Sequence, residues 1–368
     1  MAEEFESNVV DTMKETDRKC TDCGGTMDFD PKTGGLLCPY CGHTEAITKA
    51  VDAKADEPES AEELRFEDAE KVANCNWGLA TKTVICKSCG AESVYDVNQI
   101  SSTCPYCGSN QVMEASDSQS MAPGGVVPFK IDEKEAANRF TIWIKRRFFA
   151  PKAAKETARA KNFKGIYLPY WTFDADTKSS YSGEYGKDRK VKKGDKEEII
   201  TDWYHTNGRY EQFIDDELVC GTNQHETGML RGVEPFNTTD NKVYKPEYVA
   251  GFAAEKYSIG LKDAWEMAKN SIKRELTDAV ENKIRSEHHA DHVRNVSLST
   301  KFSNITYKYL LLPIWVANYK YNDKVYQFMV NGQTGKVSGK SPVSAIKVAI
   351  TVVVSIAVLA FIWYLLNY

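Results

Sequence analysis

Eight of the ten cysteines in this chain form two units with the same spacing. The first unit contains Cys20, Cys23, Cys38 and Cys41, and the second contains Cys86, Cys89, Cys104 and Cys107. Each cysteine of the second unit lies 66 residues after its counterpart, so both units follow the pattern C-x2-C-x14-C-x2-C. This pattern is typical of a zinc site with four thiolate ligands. The spacing predicts two structural zinc ions, without the open coordination position of a catalytic zinc.

The residues around the cysteines predict how the ligands are positioned. A glycine follows the second cysteine of every pair and suits the left-handed backbone of a metal-binding knuckle. Strand-like stretches, "TMDFDPKTGGLL" and "AESVYDVNQISST", separate the pairs, and the first contains a turn at residues 32–35. Two knuckles joined by a hairpin make a zinc ribbon. We therefore predict zinc ribbons at residues 19–48 and 74–113.

Disulfides and thiol redox chemistry are the alternatives for these cysteines. Disulfides suit a secreted chain, but the N-terminal stretch "MAEEFESNVVDTMKETDRKC" is acidic and has no apolar signal segment. A redox site needs only one C-x-x-C pair, on a βαβ scaffold. The two remaining cysteines, Cys75 and Cys220, are interpreted as ordinary semi-buried thiols.

The charge distribution bears on what the ribbons could bind. The formal net charge is −5, and two zinc ions with eight thiolates would bring it to about −9. From Cys20 to Glu45 the charged residues are Asp22, Asp28, Asp30 and Glu45 against Lys32, and from Cys86 to Glu114 they are Glu92, Asp96 and Glu114 against Lys87. Nucleic-acid binding depends on Lys and Arg at the phosphates. A protein-binding or purely structural role is therefore favoured over nucleic-acid binding.

The C-terminal stretch "VAITVVVSIAVLAFIWYLL", residues 348–366, contains no charge and no proline. At about 1.5 Å per residue, a helix of this length spans a hydrocarbon core of about 30 Å. A buried core helix is the alternative, but it is rarely so uniformly apolar. We predict a transmembrane helix at 346–366. Lys336, Lys340 and Lys347 precede the uncharged stretch 348–366, which predicts a tail-anchored protein in the cell membrane, with its bulk cytoplasmic and its C-terminus outside.

Between the ribbons and this helix, the pattern predicts an α+β domain at residues 126–340. Residues 1–18 form an acidic N-terminus, and residues 49–73 and 114–125 are predicted linkers. Asp132 and Glu135 resemble a capping box, followed by an apolar stripe of Ala136, Phe140, Ile144 and Phe148. The basic cluster 145–147 suits the helix C-terminus, with contact to lipid headgroups as the alternative. A longer helix is predicted at 261–288 from the stripe Ala264, Ala268, Ile272, Leu276, Ala279, Val280 and Ile284.

The rest of this domain has antiparallel strand patterns. Strands are expected from the aromatic stretch "GIYLPYWTFDADTKSSYSGEYG" and near residues 198–204, 210–214 and 217–221. Asn207-Gly208 predicts a hairpin turn, and so do Asn322-Asp323 and Asn331-Gly332. The repeated Leu-Pro-x-Trp in "YLPYW" and "LLPIW", each after a helix, indicates an internal duplication. The three sequons at Asn237, Asn295 and Asn304 are interpreted as chance, because they would face the cytoplasm.

No enzymatic motif is present in the sequence. A P-loop, a G-x-G-x-x-G turn and an H-E-x-x-H helix are all lacking. His288 and His292 could share a metal, but a polar helix end is the favoured interpretation. We therefore expect no enzymatic activity, and an active site around Trp203–His205 is a less favoured alternative.

Several stretches together carry a family resemblance. They are the two CxxCG ribbons, "VPF" before a helix, "GIYLPYW", "YVAGFAAEKY", "LLPIWVANYKYNDKVYQFMVNGQTGKVSGKSP" and the terminal apolar helix. The chain resembles bacterial membrane proteins described as having a TFIIB-type zinc ribbon, some of which carry a primosomal protein N-prime or superfamily II helicase label. The lack of a nucleotide-binding motif gives that label no support. The resemblance implies a membrane-stress setting and SPFH-like or PspA-like protein partners.

Together these observations favour a tail-anchored adaptor. Its ribbons would recruit proteins from a flexible acidic tether, and its α+β domain would give a second surface near the bilayer. Because the ribbon is duplicated, two weak contacts with a partner would combine into one strong contact through effective concentration. The alternative is a membrane-tethered protein that binds nucleic acid or the transcription machinery, and this alternative rests on the ribbon fold alone.

Overall fold

The structure is a computed structural model that describes residues 19–47, 59–69, 81–86, 92–96, 112–115, 121–152, 163–193, 196–223, 225–321 and 324–367. Within these ranges the chain forms two antiparallel-rich sheets and several helices, followed by a long apolar helix near the C-terminus. The predicted α+β class is therefore confirmed.

The small sheet is the hairpin of ribbon one. It contains β1 (Asp28–Asp30), β2 (Gly35–Leu37) and β3 (Thr44–Glu45), in the order β1-β2-β3. The predicted turn at 32–35 lies between β1 and β2. The Asp30 carboxylate accepts hydrogen bonds from the N–H groups of Lys32 and Thr33, at 3.3 and 3.1 Å. Gly34 completes the turn with a φ of +68°.

Twelve strands within the described ranges join the large sheet. The strands of this sheet and the helices between them are, in chain order, β4 (Leu64–Arg65), β5 (Thr81–Cys86), β6 (Glu92–Asp96), β7 (Val112–Ala115), β8 (Gly125–Val126), α1 (Glu133–Arg146), β9 (Lys164–Lys193), β10 (Lys196–Cys220), α2 (Thr227–Val233), β11 (Lys242–Val243), β12 (Ala253–Glu255), α3 (Leu261–His288), β13 (His292–Tyr321), β14 (Lys324–Asn331) and β15 (Val337–Gly339). The apolar helix α4 (Ala345–Asn367) follows them.

The centre of the sheet consists of three very long strands. β9 pairs antiparallel with β10 on one side and with β13 on the other. The predicted hairpin turn at Asn207-Gly208 is wrong, because both residues lie inside β10, opposite Ser182 and Tyr181. Gly208 is explained by close packing against the neighbouring strand and not by a turn. A Cβ at Gly208 would lie 2.6 Å from the hydroxyl oxygen of Tyr181 on the neighbouring strand.

Bulges interrupt the long strands at residues with positive φ. Asn295 and Asn304, with φ of +54° and +53°, lie where the β13–β9 register shifts. Asp216, with φ of +50°, lies at the shift between β10 and β9. Asn and Asp tolerate this left-handed backbone better than other non-glycine residues. Asn295 and Asn304, which belong to two of the three sequons, therefore have a structural role at the bulges of the sheet.

The predicted internal duplication is visible in the sheet. Leu168 and Leu312, the first residues of the two Leu-Pro-x-Trp copies, lie opposite each other in the β9–β13 pair. The indole of Trp171 donates to the carbonyl of Ile259, just before α3. The indole of Trp315 donates to the carbonyl of Ile131, just before α1. The repeated tryptophan thus fixes the start of a helix in both copies.

Backbone pairing and hydrogen bonds also relate the two copies of the duplication. β12 pairs parallel with β9, and β8 pairs parallel with β13. The Gly221 carbonyl at the end of β10 accepts from two N–H groups ahead of α3, and the Gly332 carbonyl after β14 accepts from two N–H groups ahead of α1. Each repeat is therefore a short strand, a helix and a long hairpin, and each short strand joins the long strand of the other repeat.

The two predicted helices form with small differences. α3 covers the predicted range 261–288, and its stripe is buried against the sheet, apart from the partly exposed Ala279. In α1 the Asp132 side chain accepts the N–H of Glu135 at 2.7 Å, which confirms the cap. Phe148 is 66% exposed and does not belong to the buried face, because α1 ends at Arg146. The predicted stripe extended one turn too far.

Parts of the predicted linkers and of ribbon two are strands of the large sheet. Within the linker predicted at 49–73, β4 pairs with Thr306 and Tyr307 of β13. β5 pairs with β6 and β7, and β6 pairs with β12. The described parts of these segments therefore belong to the same sheet as the α+β domain. The exact domain boundaries remain a prediction.

Candidate metal centre and its surroundings

The four cysteines of ribbon one converge on one point. The sulfur atoms of Cys20, Cys23, Cys38 and Cys41 all lie within 4.8 Å of one another. The Cys20–Cys41 and Cys23–Cys38 sulfur pairs are 3.4 and 3.5 Å apart. Disulfide sulfurs would be about 2.05 Å apart. A tetrahedral zinc ion with bonds of about 2.3 Å places its sulfurs roughly 3.8 Å apart, so the cluster has the size that such an ion requires.

The backbone around each pair of cysteines forms a tight knuckle. The N–H of Gly24 donates to the carbonyl of Cys20, and the N–H of Gly42 donates to that of Cys38. Gly24 and Gly42 have φ of +73° and +78°, as their position after the second cysteine predicts. Glycine adopts this left-handed backbone without the steric strain that a side chain would add, so both knuckles can close around the cysteines.

The electrostatics of the cluster favour a bound cation. Backbone N–H groups of Cys41 and Tyr40 point at the Cys38 sulfur and, against the effect of burial, lower the pKa of Cys38 to about 6. The N–H of His43 also acts to lower the pKa of Cys41, but the neighbouring thiols and burial outweigh it and raise that pKa to about 12. Four thiolates cannot form together without a positive charge among them. A divalent metal ion supplies that charge.

Ribbon one packs directly on the α+β domain. Met27, Phe29 and Leu36 belong to the same buried apolar cluster as Phe129 and Phe140. The Phe29 ring meets Tyr248 edge-on with centroids 5.9 Å apart, and its N–H donates to the carbonyl of Ala250 at 3.1 Å. The cysteine spacing alone predicts the ribbon as a separate module. The structure gives it a core in common with the domain.

An ion pair holds the turn of ribbon one to the cap of α1. The Lys32 Nζ lies 2.7 Å from the Asp132 carboxylate. This carboxylate raises the pKa of Lys32. Burial acts to raise the pKa of Asp132, but hydrogen bonds from Lys32 and from the Glu135 N–H outweigh it and lower that pKa. The one lysine between Cys20 and Glu45 is therefore paired within the protein.

The second predicted site cannot be placed in the same way. Cys86 is the last residue of β5, while Cys89, Cys104 and Cys107 lie outside the described residues, as does Cys75. Zinc in ribbon two remains a prediction. Cys220 is partly exposed, as predicted, and burial raises the pKa of its thiol to about 12.

The histidine and aromatic candidates form packing contacts in the long hairpin. The His288 ring stacks on Tyr185 at 4.1 Å, whereas His292 Nε2 lies 3.1 Å from the Asp188 carboxylate. The two histidines therefore face different partners, in agreement with a polar helix end. The Arg294 guanidinium lies 3.7 Å from the centre of the Trp203 ring. These contacts stabilise the outer part of the hairpin.

A buried charged group that the sequence analysis missed lies in the sheet. Lys308 of β13 is only 7% exposed, and its Nζ lies 2.8 Å from Asp216, 3.2 Å from Glu63 and 3.9 Å from Asp174. Burial acts to lower the pKa of Lys308, but the three carboxylates outweigh it and raise that pKa. A lone lysine inside the apolar run "YKYLLLPIW" is the signal that could have indicated a buried ion pair.

The apolar helix α4 is long enough to cross a membrane. An 18-residue window within Ala345–Leu366 has a mean hydropathy of 2.6, and none of that window is buried. Its base is fixed to the end of α1, because Lys347 Nζ donates to the carbonyls of Phe148 and Ala150 at 3.0 and 2.9 Å. The N–H of Ser344 donates to the carbonyl of Phe149.

The fold and the site together define an α+β protein with a four-cysteine cluster that can hold a metal ion and a helix that can cross a membrane. The chain belongs to the family of YdjG. The sequence described as "Uncharacterized protein YdjG", from Bacillus subtilis (strain 168), is 30% identical over 337 residues, which cover 90% of this chain and 91% of the relative. No protein-family model matches the chain, and no solved structure matches it.

Proposed function

We propose that this protein is a non-enzymatic, single-pass membrane adaptor. Its ribbons hold zinc as TFIIB-type knuckles and recruit protein partners to the cytoplasmic face. The observation that carries the proposal is a cluster of four sulfur atoms that could hold a metal ion, in the same chain as a helix of membrane-spanning length. Four thiolates saturate a zinc ion, so this centre supports a structural role for the metal.

The exposed surface of ribbon one supports protein contact. Tyr40, in the second knuckle, is 78% exposed, although it is a large aromatic residue. Tyrosine is enriched at protein interfaces. Asp22 also lies on this exposed side, where its carboxylate is 2.8 Å from His43 Nδ1. Because Lys32 is already paired with Asp132, the ribbon has little basic surface for phosphates, and this supports a protein partner over nucleic acid.

The proposed orientation in the membrane is supported by the flanking charges, and the proposed partners by the family resemblance. Lys336, Lys340 and Lys347 precede the apolar stretch, which favours a cytoplasmic α+β domain and an outward C-terminus. SPFH-like or PspA-like proteins in a membrane-stress response are the partners that the resemblance suggests.

Mild crosslinking in cells, followed by membrane extraction and mass spectrometry, tests this function. We expect recovery of SPFH-like or PspA-like proteins, and loss of that recovery in Cys38→Ser and Cys104→Ser variants. The matched control is Cys220→Ser, which removes a thiol outside both ribbons and should retain the partners. Equal recovery by all variants would contradict recruitment through the ribbons. Recovery of RNA polymerase or nucleic acid in place of these proteins would favour the alternative function.

The metal content is tested on the purified full chain. Two zinc ions per chain are expected, with one lost in the Cys38→Ser variant and one in the Cys104→Ser variant. A wild-type content of one zinc would show that ribbon two is not a metal site.

A further inference from the structure

A basic cavity of about 600 Å³ lies between α1 and the segment that follows β14. Arg139, Arg146, Arg147 and Lys336 line it together with Ile142 and Trp143. Arg139 is paired with Glu135, and Lys336 donates to the carbonyl of Glu234. In the described part of the chain neither Arg146 nor Arg147 pairs with a carboxylate. Two exposed guanidinium groups are thus available to an anion.

The cavity has an aromatic wall that orders one of these groups. The Arg147 guanidinium lies 4.5 Å from the centre of the Trp143 ring. The planar guanidinium presents its N–H donors to a phosphate in pairs, and packing over an aromatic face restricts the orientations of that plane. The site therefore suits a phosphate group better than a spherical anion.

The position of the cavity indicates where the phosphate comes from. Only residues 340–344 separate β15 from α4, and Lys347 and Ser344 fix the base of α4 to the segment after α1. In the same segment Phe148 is 66% exposed and Phe149 is 39% exposed. Exposed phenylalanines beside arginines, at the point where a helix enters a bilayer, are typical of a segment in the headgroup layer.

The geometry points to a site for an anionic phospholipid of the membrane that α4 enters. Arg146 and Arg147 bind the lipid phosphate, and Phe148 and Phe149 lie among the headgroups and upper acyl chains. This inference rests on the proposed membrane anchoring and adds a ligand to it. The lipid would hold the α+β domain in one orientation against the bilayer, beyond what a single helix provides.

The second repeat of the fold provides an internal comparison. The equivalent place, between α3 and the segment after β10, is a cavity of about 800 Å³. Its lining includes the acidic residues Asp216, Glu217, Glu234, Glu275 and Asp278 against Arg231 and Arg274. Burial raises the pKa of both Glu217 and Glu234. The two cavities therefore have opposite charge, and only the one beside α4 suits an anionic headgroup.

Native mass spectrometry of the full chain in a non-ionic detergent tests the site. Phosphatidylglycerol and phosphatidylcholine are titrated separately, and we expect retention of phosphatidylglycerol. A basic residue at an anionic membrane surface contributes about fivefold, so Arg146→Gln and Arg147→Gln should each weaken retention about fivefold, and the double variant roughly thirtyfold. Lys145→Gln is the matched control on the same helix outside the cavity, and it should stay within twofold.

Three outcomes of that titration would overturn the inference. Equal weakening by all three single variants would show a diffuse charge effect without a site. Equal retention of phosphatidylcholine would show that the lipid charge is not recognised. Displacement of phosphatidylglycerol by millimolar inorganic phosphate would identify a site for a free anion.

A photo-crosslinking measurement separates this inference from the anchoring itself. Phe148 and, as a control, the 58% exposed Phe213 of β10 are replaced one at a time by benzoylphenylalanine in the membrane-inserted chain. Lipid adducts are expected at position 148 and not at 213. Alkaline carbonate extraction is done in parallel. Release of the chain from the membrane would refute the anchoring, whereas a retained chain without adducts at 148 would refute the lipid site alone.

Discussion

The common core of ribbon one and the α+β domain predicts that damage to that core loosens the metal site. Phe29 is 4% exposed and packs on Tyr248, while its ribbon carries the cysteine cluster. Replacing a buried phenylalanine by alanine costs about 3–5 kcal/mol. Since about 1.4 kcal/mol is a factor of ten, the equilibrium between docked and released ribbon should shift by roughly 10²–10⁴.

The assay is zinc transfer from the full chain to a chromophoric chelator, together with thermal unfolding. Phe29→Ala should release zinc from one site much faster than the wild type and should lower the unfolding temperature. Phe29→Leu should fall between them, because it keeps part of the apolar contact. Coupling is reciprocal, so chelation should also lower the unfolding temperature of the wild-type domain.

The control is Tyr40→Ala, which removes an aromatic ring from the same ribbon at a position 78% exposed. Surface substitutions of this kind usually change stability by no more than about 0.5 kcal/mol. Zinc release from Phe29→Ala at the wild-type rate, with an unchanged unfolding temperature, would refute the common core. An equal effect of the two variants would show that the ribbon responds to any lost ring.

Three further predictions concern the sheet. Lys308→Met should cost about 3–5 kcal/mol in the free energy of unfolding, because it leaves buried aspartates without their cation, and an unchanged urea midpoint would contradict this. Gly208→Ala should cost about 1–3 kcal/mol through its clash with the neighbouring tyrosine, whereas Gly228→Ala, with no atom within 4 Å of the added Cβ, should have little effect on the same midpoint. The pKa of Glu184 lies below its usual value of 4.5 because Arg294 donates to it, so its contribution to stability is present above pH 4.5 and is lost as the pH falls through the folded pKa. An NMR titration in which Arg294→Gln leaves that pKa unchanged would refute the assignment.

The features that the sequence predicted well depend on local patterns. The first knuckle pair needs only cysteine spacing and two glycines, and α3 needs only its apolar period, so both were found. The capping aspartate of α1 was found for the same reason. These contacts join residues that are close along the chain, where spacing alone determines geometry.

The features that the sequence missed depend on distant contacts. Asn207-Gly208 has the composition of a turn, but its glycine accommodates Tyr181 on another strand. Phe148 continues the period of α1, but the helix ends before it, and the segment is fixed to a lysine almost 200 residues further on. Lys32 and Asp132 meet across about one hundred residues. The spacing of residues along the chain does not indicate which distant residues meet in the fold.

The long central strands also impose an order on the synthesis of the chain. β9 and β10 can pair as soon as both have left the ribosome, since they are adjacent in sequence. The other side of β9 is completed by β13, whose residues are made more than 70 positions after β10 ends. During that interval the nascent hairpin presents an unpaired edge that could join another chain. β13 is also made shortly before the apolar helix α4, which begins at Ala345, so the strand that closes the sheet and the segment that can cross a membrane leave the ribosome late and close together. Late pairing of β13 would leave the edge of β9 open, and until α4 is covered its apolar surface would also be exposed, so the chain carries two sticky surfaces at the same stage.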